Sequence, residues 1–232
     1  MSVRKLSQIL LVVAVLCSSA AALHAQSISV FGMGTFSSLF DKGTYTVPAG
    51  QFSSSYNTGG GFTVGAESPL FLRIIDVEGS YSLVRNNLQL LDQAVSPSVE
   101  SAYGVRNQRV SGDLVGHLPK YIFGFRPYLA GGVEFDRYSP LLPGTGFFSF
   151  FNGYSNVVLH NNDSVGFNYG GGVDLRLARR VSFRVDLRDH VTGSPTYGLP
   201  SSSTSGHAIF PIGGYAHDLE YSAGVVFRLG KK

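Results

Sequence analysis

Residues 170–190, GGGVDLRLARRVSFRVDLRDH, carry an ionisable side chain at nearly every second position and an aliphatic or aromatic one between. A period of two is the mark of a β-strand with unlike faces. One arm sets Val173 and Leu175 against Asp174 and Arg176. The other sets Val181, Phe183, Val185 and Leu187 against Ser182, Arg184, Asp186, Arg188 and His190. Only residues 178–180 separate the arms, so the stretch reads as a hairpin with a tight turn.

The same alternation recurs outward from this hairpin. Eight segments carry it, near 27–36, 56–66, 70–84, 103–116, 121–137, 164–178, 181–191 and 216–229. No helical stripe competes with them, and a composition of 29 Gly, 17 Phe and 12 Tyr favours strands and turns. Short connections at 67–69, 117–120 and 178–180 alternate with long ones at 37–55, 85–102, 138–163 and 192–215, rich in Ser, Gly, Pro and Asn. In a soluble domain, structureless loops of about 20 residues would count against the strand assignment. In an outer-membrane barrel they are expected, with short periplasmic turns and long outer loops. The expected fold class is all-β: an eight-stranded antiparallel up-and-down transmembrane β-barrel.

Alternation alone leaves the facing open. A lipocalin-like secreted carrier would turn the aliphatic face inward around a small apolar ligand. A membrane barrel turns it outward to lipid. The loop alternation and the aromatics near segment ends, Tyr81, Tyr103, Tyr121, Phe135, Tyr138 and Tyr215, favour the second. An eight-stranded lumen is only wide enough to be filled by side chains, so charges inside it must pair. The expected lumen network is Arg126, Glu134, Asp136, Asp174, Arg176, Arg184, Asp186, Arg188, Glu220 and Arg228, five bases against five acids. Asp76 and Glu78 share a parity that faces the lumen. Arg73 shares the opposite parity with Ile75 and Val77, and SISVFGMGTF (27–36) hardly declares a face.

The N-terminus carries Arg4 and Lys5, then an apolar run from Ile9 to Leu16 and small residues to Ala25. This reads as a secretory signal peptide, residues 1–25, ahead of a barrel domain at 26–232. The run is shorter than the ~20 apolar residues of a spanning helix. Removing Arg4 and Lys5 from the 18 basic residues leaves 16 against 15 acidic ones, so the net charge of +3 falls to +1. No basic run marks a nucleic-acid partner. The only cysteine, Cys17, lies in the leader, so disulfides do not hold the exported fold.

RPYLAGGVEFDRY (126–138), FNYGGGVDLRLARRVSFRVDLRDH (167–190) and DLEYSAGVVFRLG (218–230) resemble the small OmpA-like outer-membrane β-barrel proteins of Gram-negative bacteria. The resemblance covers essentially the whole exported chain and specifies fold more than activity. It implies export and residence in the cell outer membrane, insertion by the barrel assembly machinery, and contact with outer-membrane lipids and lipopolysaccharide. One departure stands out: the family commonly ends on an aromatic residue, whereas Phe227 is followed by Arg-Leu-Gly-Lys-Lys.

Chemistry is sparse. Asp189-His190 with Ser194 invites comparison with lipid A-modifying barrels, but the spacing does not require a nucleophile within reach of the histidine. His160, His207 and His217 lack the spacing of metal ligands, and the glycine clusters open no helix that could cradle phosphate. No catalytic, cofactor or metal residue is therefore expected. The FFSFF cluster, Phe147, Phe148, Phe150 and Phe151, is too apolar for a purely solvated loop and reads as a plug or a surface contact. The expected function is a monomeric, non-enzymatic barrel with a filled lumen, serving envelope structure or surface interaction. A narrow channel is the alternative, ahead of a lipid A-modifying enzyme or a soluble carrier.

Overall fold

A computed structural model describes residues 28–40, 43–47, 50–71, 74–92, 99–141, 159–198 and 214–229. The alternating segments form strands β1 (Ile28–Phe40), β2 (Gly43–Val47), β3 (Gly50–Phe71), β4 (Ile75–Asp92), β5 (Val99–His117), β6 (Phe125–Pro140), β7 (Asn162–Arg176), β8 (Val181–Gly193) and β9 (Tyr215–Leu229). From β3 onward each pairs antiparallel with the next, and β1 closes the sheet by pairing with both β9 and β3. The short β2 pairs with the far part of β3, outside the ring. Eight strands therefore make a closed wall, in agreement with the sequence reading, and closure leaves that wall no open edge.

The wall is apolar outside and polar inside. On β6 the outward positions run Phe125, Pro127, Leu129, Gly131, Val133 and Phe135 before Arg137 interrupts them. Leu129 is 74% and Val133 67% exposed, whereas Glu134 and Asp136 are 3% and 0%. Ten residue steps of ~3.3 Å, tilted by about 40°, give an apolar band roughly 25 Å tall, the height of a bilayer core at a barrel surface. The band ends where outward polar groups pair with one another. Arg137 donates to both carboxylate oxygens of Asp163 at 2.7 and 3.0 Å, and Asp189 accepts from Tyr169 at 2.7 Å and contacts His217 at 2.9 Å.

Several boundaries correct the sequence reading. Residues 67–69 are not a turn: β3 runs on to Phe71, and a register shift between Pro69 and Phe71 absorbs the amide that proline lacks. Residues 85–102 are not a long loop. β4 and β5 stay paired as far as Asp92 and Val99, and the inward face continues through Asn86 and Leu88 on β4 and Tyr103 on β5, polar and apolar residues that share a face and so hide the alternation in the sequence. Tyr103 and Tyr138 are not girdle residues; they are buried inside the barrel, as their parity with Val105 and Asp136 requires. β1 does declare a face, with Phe31, Met33, Thr35, Ser37 and Leu39 inward and Phe36 and Phe40 outward. Its sequence looked ambiguous because Phe31 and Met33 build an apolar cluster inside the barrel with Val226. Arg73, His207 and the four phenylalanines of FFSFF lie outside the described residues.

Candidate functional site

The lumen is organised around three arginines, each ringed by carboxylates. Arg184, on β8, donates to Asp174 Oδ1 at 2.8 Å, Glu78 Oε2 at 2.9 Å and Glu67 Oε2 at 2.8 Å. Its guanidinium also sits over the rings of Tyr128 and Phe31, 4.7 and 5.4 Å from their centroids. Arg188, two inward positions along the same strand, donates to Asp186 at 2.9 Å, Asp113 at 2.8 Å and the second oxygen of Glu78 at 2.7 Å. Arg109, on β5, donates to Asp136, Glu220 and Asp218, each at 2.9 Å. The fork of a guanidinium serves several carboxylates at once, which a lysine ammonium could do only as a point charge.

Neutral donors supply further bonds. Asn168 donates to Asp113 at 2.7 Å and Ser111 to its other oxygen at 2.9 Å. Tyr128 donates to Asp186 and Ser37 to Asp218. Glycines make the room. A Cβ on Gly172 would lie 2.6 Å from the Tyr128 hydroxyl and 2.2 Å from the Val185 carbonyl oxygen, so the GGG run of β7 leaves space for bulky neighbours in a narrow wall.

Of the ten residues expected in the network, Glu134, Asp136, Asp174, Arg184, Asp186, Arg188 and Glu220 lie buried inside. Arg126 and Arg176 do not belong there. Both sit at the rim where the short turns lie, each about 6.0 Å from the Tyr121 ring; Arg228, half-buried and bonded to the Tyr121 hydroxyl, stands there too but reaches the network, its Nη2 lying 3.9 Å from Asp174 Oδ2. Parity gives a residue's face but not its height, and these three stand at strand ends. Arg109, Glu67, Asp113, Asp218 and His117 are the lumen members that were not named; all lie on inward parities, but only the closed register shows how deep each reaches.

This relocation overturns the expected balance of signs. Among the described residues, ten carboxylates are buried in the barrel: Glu67, Asp76, Glu78, Asp113, Glu134, Asp136, Asp174, Asp186, Asp218 and Glu220. Against them stand Arg109, Arg184 and Arg188, with the imidazoles of His117 and His190. Even with both histidines charged, these buried acids outnumber these buried bases by five, so several carboxylates share each basic partner.

Above the Arg109 cluster, towards the long connections, the lumen is filled by Leu39, Tyr56, Leu88, Tyr103, Val105, Tyr138, Tyr197 and Ala216. Tyr197, in the segment after β8, adopts a left-handed backbone (φ 53°) and is fully buried. Its hydroxyl accepts a 2.8 Å bond from Tyr56, and Tyr138 bonds Thr192 at 3.1 Å. The Asp189-His190-Ser194 group does not assemble. Asp189 faces outward and His190 inward to Glu134, and neither Ser194 Oγ nor His190 Nε2 has a hydrogen-bond partner among the described residues. His160 is exposed, and His217 is an outward partner of Asp189.

The family model for the outer membrane protein beta-barrel domain matches residues 9–210. The chain is similar to the solved structure of the outer membrane protein OprG from Pseudomonas aeruginosa, at 12% identity and a TM-score of 0.58, over 89% of this chain and 97% of that one. It is also similar to Neisserial surface protein A, at 13% identity and a TM-score of 0.51, over 86% and 96%. Identities this low bear on fold alone. No curated protein matches in sequence. With a closed wall of eight antiparallel strands, an apolar band outside and a family match over most of its length, the chain belongs to the outer membrane protein beta-barrel domain family and is an outer-membrane protein.

Proposed function

We propose that the protein is a non-enzymatic outer-membrane barrel with a closed lumen, serving envelope structure or surface interaction through its long connections on the outer side. The observation that carries this reading is the filling of the interior. Three arginine–carboxylate clusters occupy it from the turn side, and a layer of four tyrosines with aliphatic neighbours occupies it above them. A lumen so filled serves as a rigid core for the wall. Its neighbours would be outer-membrane lipids and lipopolysaccharide, and the barrel assembly machinery during insertion. Residues 1–25 would act as the export signal, which N-terminal sequencing of the envelope protein tests: the first residue should be Gln26.

Planar-bilayer recording tests the closed lumen. The reading expects no stepwise conductance from the folded protein, and reproducible unit steps would refute it. A second reading, a narrow cation-selective channel, is favoured by the excess of buried carboxylates. It predicts steps that carry potassium and exclude chloride.

A further inference from the structure

The unmatched acid is most sharply placed at the turn side of the lumen. There the ends of β3, β4 and β5 bring together Glu67, Asp76 and His117, which are only 6%, 6% and 3% exposed. His117 Nε2 lies 2.9 Å from Glu67 Oε1 and 3.3 Å from Asp76 Oδ2, and one donor atom from each residue falls within 4.8 Å of the others. Four-coordinate zinc holds N and O ligands at ~2.0–2.2 Å, which sets neighbouring donors roughly 3.3–3.5 Å apart. The observed spacings need only small adjustments to reach that geometry.

Three further features suit a cation. Among the described residues no arginine pairs with Asp76, and its Oδ1 is a buried oxygen with no hydrogen-bond partner. Glu67 is anchored through its other oxygen, Oε2, by Arg184 at 2.8 Å, which leaves Oε1 turned to the histidine. This is the outer partner that orients a metal-binding carboxylate. The His117 ring packs against Tyr128, with centroids 5.3 Å apart, and its backbone amide is fixed by the Ile74 carbonyl at 2.7 Å. The ligand strands are thus held in place without the cation.

We propose that Glu67, Asp76 and His117 form a divalent-metal site of the zinc type at the turn side of the lumen. One imidazole nitrogen with two carboxylate oxygens favours a transition-series ion over magnesium or calcium, which prefer all-oxygen shells of six or more ligands. His117 ends β5, one residue from the turn, which places the site at the turn end of the lumen. The metal would neutralise charge that the three arginines leave uncompensated.

The test uses the full exported chain, folded in detergent micelles, stripped with chelator and titrated with zinc alone. Calorimetry and metal analysis should give one zinc per chain. His117→Asn and Asp76→Asn should each weaken binding at least tenfold, and Asp163→Asn, on the outer surface, should leave it within twofold. No retained zinc in the parent protein would overturn the site. Equal affinity in all three variants would overturn it as well. Should a variant lose the heat-modifiable gel shift of a folded barrel, cobalt on the parent protein decides the matter. The site predicts paramagnetic broadening of the Val77, Val115 and Gly116 amides and none beside Tyr138. Broadening that is absent or uniform contradicts it.

Discussion

Replacing Arg184 by methionine removes the donor at the centre of the turn-side cluster and nearly preserves its volume. The three carboxylates it serves are then left unequally provided for. Glu78 keeps Arg188 at 2.7 Å, and Glu67 keeps His117 at 2.9 Å. Asp174, 1% exposed, is left with Arg228 at 3.9 Å as its nearest base. Breaking a buried ion pair from one side costs about 3–5 kcal/mol, because an uncompensated charge remains. One carboxylate of three is stranded, so the low end of that range, about 3 kcal/mol, is expected for Arg184→Met. Arg184→Lys restores the charge but not the fork or the contacts with Phe31 and Tyr128, and should recover only part of the loss. Adding Asp174→Asn to Arg184→Met removes the stranded charge and should return roughly 1–2 kcal/mol, within the usual coupling range for contacting residues. The assay is urea unfolding in lipid vesicles, followed by the heat-modifiable gel shift and far-ultraviolet circular dichroism. A stability for Arg184→Met within about 0.5 kcal/mol of the parent protein, or no rescue by the double variant, would refute the cluster as a structural element.

Other perturbations separate the wall from its filling. Gly172→Ala pushes a methyl against the Tyr128 hydroxyl and the Val185 carbonyl oxygen, and should cost about 1–3 kcal/mol by overpacking in the same unfolding assay. Leu129→Arg, at the middle of the apolar band, should cost about 2–4 kcal/mol in bilayers of ordinary thickness. Asp163→Asn breaks only the outer pair with Arg137 and should change stability by less than about 1 kcal/mol.

The wall was legible in the sequence because each strand reports its two faces locally. β6 to β9 carry an aliphatic row and a charged row with few interruptions, so their inward residues follow from parity. Height inside the barrel is a different quantity. It depends on the stagger of eight strands, which no single segment encodes, so Arg126 and Arg176 share a parity with lumen residues yet stand at the rim. Arg109 lies inside by the same parity rule, but its partners come from β6 and β9, as far as 111 positions away in sequence. The charge balance inferred from ten residues failed for this reason: three of the five bases belong to the rim, and acids from β3, β4 and β5 enter the lumen in their place. Tyr138 was misplaced differently. Its nearness to a strand end suggested a membrane girdle, although its parity with Asp136 already pointed inward.

The central claim is that the aliphatic face meets lipid and the charged face meets the lumen. Cys17 is the only cysteine, so in a Cys17→Ser background single cysteines on β6 can carry a nitroxide label without competition. Labels at Leu129, Ala130, Val133 and Glu134, measured in vesicles for collision with oxygen and with a polar nickel chelate, test the claim directly. The account predicts high oxygen and low nickel accessibility at Leu129 and Val133, and low accessibility to both at Ala130 and Glu134. Oxygen accessibility that is greater at 130 and 134 than at 129 and 133, or nickel accessibility at Leu129, would contradict it.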